Sequence, residues 1–508
     1  MTGVRRTAGH DKVNRMERRA FLQSSTGAAL AQTTGSAARP NILLFCTDQQ
    51  RFDTIGALGN PHIRTPNLDR LVANGIAFEN AYCQTPICTP SRASFLTGCY
   101  ASSLHVNRNG NEFFPSHFTG RLISRILSAA GYDCGMVGKF HLSSSYRRVE
   151  PRLDDGYRLF EWSHAPRADW PVEKQGYLRW LRDKGLDFKT EYGKKRFPDR
   201  PAEFNAGMAA AHHEGAWCAE TAAEWIRQGL HRPWFITVNT YAPHPPFHPP
   251  PEFLERMNPG SLPLPLWGAR DAENQGRLAK VDFQSKPKDP ASYPSRLMKA
   301  AYYAQVEFVD DRLGMVLRTL EQTGQLDQTL IVFFSDHGET MGDHGMTHKG
   351  CRFSEGLAHV PLIFSWPARW PKGVRRKALV ELTDIVPTLL EAAGLPLPSY
   401  LHGKSLLPLT ANRAAPDRHR DFVRSEYHDV LDLPDGSHAN MLRNERYKLV
   451  CYHGHPWGEL YDLEKDPYEF NNLWGDPKHA ALRLDLTQRL FDAVMLTTDP
   501  GQPRIGPM

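Results

Sequence analysis

Four short polar clusters carry the residue types that do acid–base and metal chemistry: Thr47-Asp48-Gln49, Gly138-Lys139-Phe140-His141, Ala242-Pro243-His244-Pro245 and Ser335-Asp336-His337-Gly338. Each follows a short apolar run, so each stands just beyond a strand's C-terminal end. A lone Asp or His there is ordinarily a cap or turn residue. Four such clusters in equivalent places point instead to a shared site, because ligands bind at that edge of an open α/β sheet. A fifth cluster differs in kind. Cys88 opens Cys88-Thr89-Pro90-Ser91-Arg92, which leads into Ala93-Ser94-Phe95-Leu96-Thr97-Gly98. Pro90 and the apolar helix starting near Ser91 put residue 88 at a helix N-terminus, where free N–H groups and the dipole favour an anion. From these residues alone Cys88 is a thiolate nucleophile with its pKa lowered by Arg92 and the helix end; the alternative is a buried structural thiol.

The elements that must hold these clusters are visible as hydrophobic patterns. Ile42–Thr47, Cys134–Val137, Phe235–Val238, Leu330–Phe334 and Leu362–Trp366 are continuous apolar runs, the pattern of strands buried on both faces of a parallel sheet. Thr65-Pro66 supplies an N-cap and first turn for a helix through Leu68, Leu71 and Val72, with Gly75 suited to stopping it. Leu122, Ile126, Leu127 and Ala130 share a helical face, and residues 294–322 carry apolar residues at helical spacing. This alternation predicts an α/β fold, a large mostly parallel sheet sandwiched by helices, over residues 40–410. Two stretches without clear periodicity, about 143–230 and 248–292, are expected as insertions around the mouth of the site, with Trp162, Trp170 and Trp180 as a sugar- or aryl-binding wall against the plainer reading of solvated loop. Residues 411–508 predict a small α+β unit of short antiparallel strands and a terminal helix over 477–495.

The chain has 508 residues and a formal net charge of +5, too even a balance for a nucleic-acid surface. It lacks any apolar run of the ~18 residues that a membrane span needs, so integral membrane association is not expected. Eight scattered cysteines without Cys-x-x-Cys spacing argue against a zinc site and a disulfide framework, and Cys46, inside an apolar run, is expected in the core. Residues 1–39 form a leader. Its Arg18-Arg19-Ala20-Phe21-Leu22 followed by Ala29-Leu30-Ala31 resembles a twin-arginine signal, which implies a periplasmic or secreted protein; if the Arg pair is fortuitous, the protein is cytoplasmic.

Cys88-Thr89-Pro90-Ser91-Arg92 through Leu96-Thr97-Gly98 resembles the type I sulfatases of the alkaline phosphatase superfamily, whose Cys-x-Pro-x-Arg cysteine is oxidised to formylglycine (3-oxoalanine) by a maturation enzyme. The resemblance runs from Arg39 through Gly131–His141, Pro243–Phe247 and Ser335–Gly350 to Tyr461-Asp462-Leu463. It implies a small C-terminal α+β domain and a sulfuric ester hydrolase acting on a sulfated small molecule or glycan, with a sulfated carbohydrate expected. It implies one divalent metal ion bound by Asp48, Gln49, Cys88, Asp336 and His337. The oxygens of Asp48, Gln49 and Asp336 suit Ca2+ or Mg2+. Gln49 and His337 depart from the family's second carboxylate and Asp-Asn pair, and this softer set also suits Mn2+.

The same resemblance assigns roles. Lys139 and Lys349 neutralise the sulfate, Arg92 helps acidify the attacking hydroxyl of the hydrated aldehyde, His244 protonates the leaving oxygen, and His141 takes a proton as sulfate is released. Asn107 is expected to contact sulfate, and His248, His344 and His348 stand near the motifs as supporting residues. Two alternatives remain open. A phosphonate monoester or phosphodiester hydrolase of the same superfamily is favoured by Gln49 and His337 and disfavoured by Lys139 and His141. A non-catalytic sulfated-glycan-binding protein is disfavoured by the intact residue set. Lys189, Lys194, Lys195 and Arg196 are basic loop residues that would either hold an anionic glycan or face solvent.

Overall fold

Nine strands build one sheet in the computed structural model, which describes residues 39–499 and 501 apart from 166, 168, 197–203, 205–206, 230–232, 282–285 and 432–435. The leader therefore lies outside the described residues except for Arg39, and Pro40–Met508 forms one compact unit. The strands are β1 (Asn41–Asp48), β2 (Ile76–Tyr82), β3 (Asp133–Gly138), β4 (Leu159–Trp162), β5 (Trp234–Pro243), β6 (Thr329–Ser335), β7 (His359–Val360), β8 (Leu362–Ser365) and β9 (Val374–Glu381). They run in the order β4-β3-β5-β1-β6-β8-β2-β7, with β9 also paired to β2. β1 is central because it can be: Ile42, Leu43, Leu44 and Phe45 are at most 1% exposed, and burying each such side chain is worth about 1.5–3 kcal/mol.

Register brings the polar clusters together. β1, β3, β5 and β6 are parallel, with Cys46 opposite Asn239, Gly138 opposite Asn239, and Thr47 opposite Ser335. Asp48, Lys139 and Asp336 therefore lie at one edge of the sheet, at or just past the C-terminal ends of their strands, with His244 following β5. The helices that cover the sheet include α1 (Pro66–Ala73), α2 (Cys88–Thr97), α3 (Ile123–Ala129), α4 (Glu214–Arg227) and α5 (Ser295–Gln322). Thr65 does precede α1, but its hydroxyl donates to Asp69 Oδ1 rather than capping a backbone N–H. Asn74 caps the C-terminus, and Gly75 is needed for a different reason: a Cβ there would lie 2.3 Å from the Phe364 carbonyl.

Three expectations are corrected. Leu362–Ser365 is a strand but runs antiparallel to both β6 and β2, since an apolar run reports burial on two faces and not direction. The stretch 143–230 is not only a loop-rich mouth. It supplies edge strand β4 and helix α4, whose Ala216, Ala219, Ala222 and Ala223 are small enough for close packing beneath Trp217 and Trp225. Trp162 and Trp170 are buried and pack with ring centres 5.7 Å apart, and Trp180 donates to Glu220, so these indoles serve packing rather than a binding wall.

A second sheet, β10 (Phe422–His428), β11 (His438–Asn444), β12 (Tyr447–Tyr452) and β13 (Gly458–Asp462), is a fully antiparallel meander covered by α6 (Ala480–Leu496). Leu442, Leu449 and Leu460 meet Leu486 and Leu490 in its core. Among the described residues no helix is long and apolar enough to cross a membrane.

Candidate active site

All ten residues of α2 are buried, and Cys88 occupies its first position after an extended Ile87. Ser91 Oγ donates to the Asp336 carbonyl, which ties the first turn to the end of β6. The Cys88 thiol faces a dense set of charges. Its Sγ lies 2.9 Å from Lys349 Nζ, 3.2 Å from His337 Nε2, 3.5 Å from Lys139 Nζ and 3.7 Å from Asp48 Oδ1. Burial alone would push this thiol up; Lys139, Lys349 and His337 outweigh burial and hold it well below the ordinary range.

Arg92 acts at one remove. Its Nε donates to Asp336 Oδ2 at 3.0 Å, Nη2 to Asp48 Oδ2 at 3.3 Å and Nη1 to the Lys139 carbonyl at 2.7 Å. The planar fork therefore fixes the spacing of both carboxylates and the lysine turn, which a point-charge ammonium would not. Asp48 also accepts from Lys139 Nζ, and despite burial its carboxyl is held below the usual range by Lys139, His244 and Arg92. Asp336 goes the other way, raised by burial and then by neighbouring Asp48.

Asp48, Cys88, Asp336 and His337 present ligand atoms all within 4.8 Å of one another. His337 Nδ1 donates to the Gly338 carbonyl at 2.9 Å, which turns Nε2 into the cluster, where it can bind a cation once it gives up its proton. Gln49, at φ 70°, is oriented from both ends: its Nε2 donates to Glu339, so Oε1 turns inward and accepts from Lys349 Nζ at 2.7 Å. Two carboxylates, an inward amide oxygen and an imidazole lone pair fit one divalent cation in their donor chemistry. An ammonium, Lys349 Nζ, already stands against Gln49 Oε1 and His337 Nε2.

Lys139 and His141 sit on a turn that Glu150 organises by accepting from the backbone N–H groups of His141, Leu142 and Ser143 and from Trp162 Nε1. His141 reaches the Cys88 side chain; burial, reinforced by Lys139, presses its imidazole down to about 4. Its ring packs 4.3 Å from that of His164. His244 also reaches Cys88, and its Nδ1 lies 2.6 Å from the Pro245 carbonyl, which leaves Nε2 as the working nitrogen.

The residues expected for catalysis and metal binding therefore converge, whereas Asn107 and the supporting His344 do not. Asn107 is half-buried with its Oδ1 enclosed and unpaired among the described residues, and it is Asn109 whose Oδ1 accepts from the Thr89 N–H and hydroxyl on the first turn of α2. The spacing after the helix could not distinguish two asparagines a pair of residues apart. His344 belongs to a separate pair with Asp271, at 3.1 Å. Four contributors were not anticipated: Glu339, Glu150, His164 and Tyr302, whose hydroxyl donates to the Gln49 carbonyl. Of these only Glu339 carries a local signal, in Asp336-His337-Gly338-Glu339.

The mostly parallel sheet with its metal-suited cluster at the C-terminal strand ends defines a hydrolase of the alkaline phosphatase-like class. A family model described as Sulfatase matches residues 40–395, a second described as N-sulphoglucosamine sulphohydrolase, C-terminal, matches residues 342–495, and the chain belongs to the sulfatase family. It is 31% identical over 478 residues to an arylsulfatase of Clostridium perfringens (strain 13 / Type A), covering 89% of this chain and 94% of that one. It is 26% identical over 501 residues to an N-acetylglucosamine-6-O-sulfatase of Bacteroides thetaiotaomicron, covering 89% and 86%. Among solved structures, a phosphonate monoester hydrolase of Silicibacter pomeroyi superposes with a TM-score of 0.78 at 26% identity, covering 91% of this chain and 96% of that chain.

Proposed function

We propose that this sulfatase releases sulfate from a sulfated carbohydrate through a formylglycine made from Cys88, with one divalent cation, Ca2+ first and Mn2+ or Mg2+ as alternatives, held by Asp48, Gln49, Asp336 and His337. The observation that carries this reading is the Cys88 side chain itself, first in a buried helix and enclosed by Lys139, Lys349 and the carboxylate–imidazole cluster. The hydrate of the oxidised residue 88 would supply a hydroxyl as nucleophile, and a cation held by Asp48, Gln49, Asp336 and His337 would supply Lewis acidity toward that hydroxyl and the sulfate.

This chain's own residues do the rest. Lys139 and Lys349 converge on residue 88 from two sides and offset the charge of the bound sulfate. Arg92 keeps the two carboxylates at fixed separation. His244 carries its mobile proton on Nε2, since Nδ1 is committed to the Pro245 carbonyl, and delivers it to the leaving oxygen. His141, kept neutral by burial and Lys139, is suited to accept a proton at residue 88. A glycan substrate is supported by the similarity to the N-acetylglucosamine-6-O-sulfatase. Export through the leader and a separate maturation enzyme complete the proposal.

Mass spectrometry of the Cys88 peptide, from protein coexpressed with a formylglycine-generating enzyme, tests the central step. Loss of the thiol in active protein is expected; normal sulfate release with an unmodified thiol overturns it. A second reading, phosphonate monoester hydrolysis, is favoured by the superposition on the Silicibacter enzyme and by Gln49 and His337 at the metal cluster. Lys139 and His141 beside residue 88 favour the sulfate ester. Catalytic efficiency on aryl sulfate and aryl phosphonate esters decides, a strong phosphonate preference reversing the choice.

A further inference from the structure

Pro245 and Pro246 form a ridge with a cavity on each side. The first, about 650 Å³, is lined by His244, Phe188 and Tyr192 and carries Arg167 and Lys189. The second, about 680 Å³, is lined by Phe204, Phe247 and Tyr293 and carries Lys286 and Lys288. His244 opens onto the first, and His348, next in sequence to Lys349, lines the second. Pro245 and Pro246 line both chambers, so a ligand that crosses the ridge beside His244 can enter each, whereas a small aryl or alkyl sulfate would need only one.

Their polar content is one-sided. Among the described residues Arg167, Lys189, Lys286 and Lys288 make no ion pair; Lys288 instead stands 5.3 Å over the Tyr293 ring, and Lys189 only approaches Asp187. The carboxylate among the residues lining these cavities, Glu214, is buried and accepts from the Tyr241 N–H and the Cys218 thiol, so it does not answer the cations. Aromatic faces suit the C–H faces of sugar rings, and unpaired cations on both sides suit anionic groups repeated along a chain.

We propose that the two cavities together bind a polyanionic oligosaccharide, with the sulfated unit over the Pro245–Pro246 ridge and further charged units extending into both, so that the enzyme acts on internal positions of a sulfated chain. This rests on the sulfate-ester reading above and adds the length and charge of the substrate to it.

The test is inhibition of aryl sulfate hydrolysis by size-fractionated heparin oligosaccharides of two, four and six units and by polyphosphate of matched charge, at fixed ionic strength. Binding of the same probes is followed in parallel by calorimetry. The inhibition constant is expected to fall roughly tenfold between two and six units, because several weak charge contacts add within one ligand. Arg167→Ala/Lys189→Ala and Lys286→Ala/Lys288→Ala are each expected to abolish most of that gain, with every constant referred to the variant's own aryl sulfate turnover. Length-independent inhibition, a gain that survives both double substitutions, or polyphosphate binding as tightly as the sugar overturns the proposal. If aryl sulfate is not hydrolysed at all, the sulfate-ester reading fails, and the calorimetric length series still decides whether the cavities bind the chain.

Discussion

His244 and Lys349 both reach the Cys88 side chain, yet they can do different things. A general acid matters in proportion to how badly the leaving oxygen needs a proton, and typically contributes about 10²–10⁴-fold. His244→Ala is therefore expected to slow a sugar sulfate far more than an activated aryl sulfate. Lys349→Ala removes the positive charge that offsets the sulfate itself and is expected to weaken both substrates alike. Equal losses for His244→Ala on the two esters would reassign that residue to sulfate binding. Glu339 acts through Gln49, whose amide it turns inward. With Glu339→Gln the orientation is no longer enforced by charge, and residues that orient a metal ligand commonly contribute about 10–100-fold to affinity. Chelator treatment followed by back-titration with Ca2+ or Mn2+, read by thermal midpoint, is expected to show a destabilised metal-free protein and a weaker metal response in the variant. An unchanged titration would remove Glu339 from the site.

At the scale of elements, α4 contains a buried acid that the sheet does not neutralise. Burial raises Glu214 from 4.5 to about 7, and the hydrogen bonds from Cys218 and Tyr241 recover only part of the cost. Because the folded state keeps a proton that the unfolded chain has lost, stability is expected to fall as pH rises from about 4.5 to about 7, at up to ~1.4 kcal/mol per pH unit, and to level off above. Glu214→Gln should flatten that slope in urea titrations taken between those pH values; an identical slope would show that another group carries it. The same helix shows why part of the fold was legible in the sequence and part was not. β1, β5 and β6 are apolar on both faces, so burial wrote them as unbroken runs. β9 reads Val-Arg-Arg-Lys-Ala-Leu-Val-Glu, with alternating exposed cations, and β4 has only four residues, so neither stood out. Helix α4 hid its apolar stripe among Glu residues and small alanines. At the site, the residues on sequence motifs were found by their motifs. Glu150 and Tyr302 were not, because each acts through backbone groups that only the folded chain brings within reach.

For the whole molecule, the central strand has the longest wait. β1 is completed only by β5 and β6, at residues 234–243 and 329–335, so the sheet closes across very long loops and the fold is rich in non-local pairings. With synthesis at about 5–20 residues per second, roughly ten to fifty seconds separate the appearance of Cys88 from that of β6. Once the sheet closes, that side chain is 1% exposed on a helix with no exposed residue. A maturation enzyme is thus expected to convert a short Cys88-containing peptide or a nascent chain, and to leave folded, unmodified protein untouched; conversion of the folded protein at the peptide's rate would refute this. Strand order in the sheet thereby becomes a clock. If Cys88 is the residue converted, the time the protein takes to be made sets the interval in which its thiol can become a catalyst, and hastened synthesis should yield more correctly folded molecules that can never turn over.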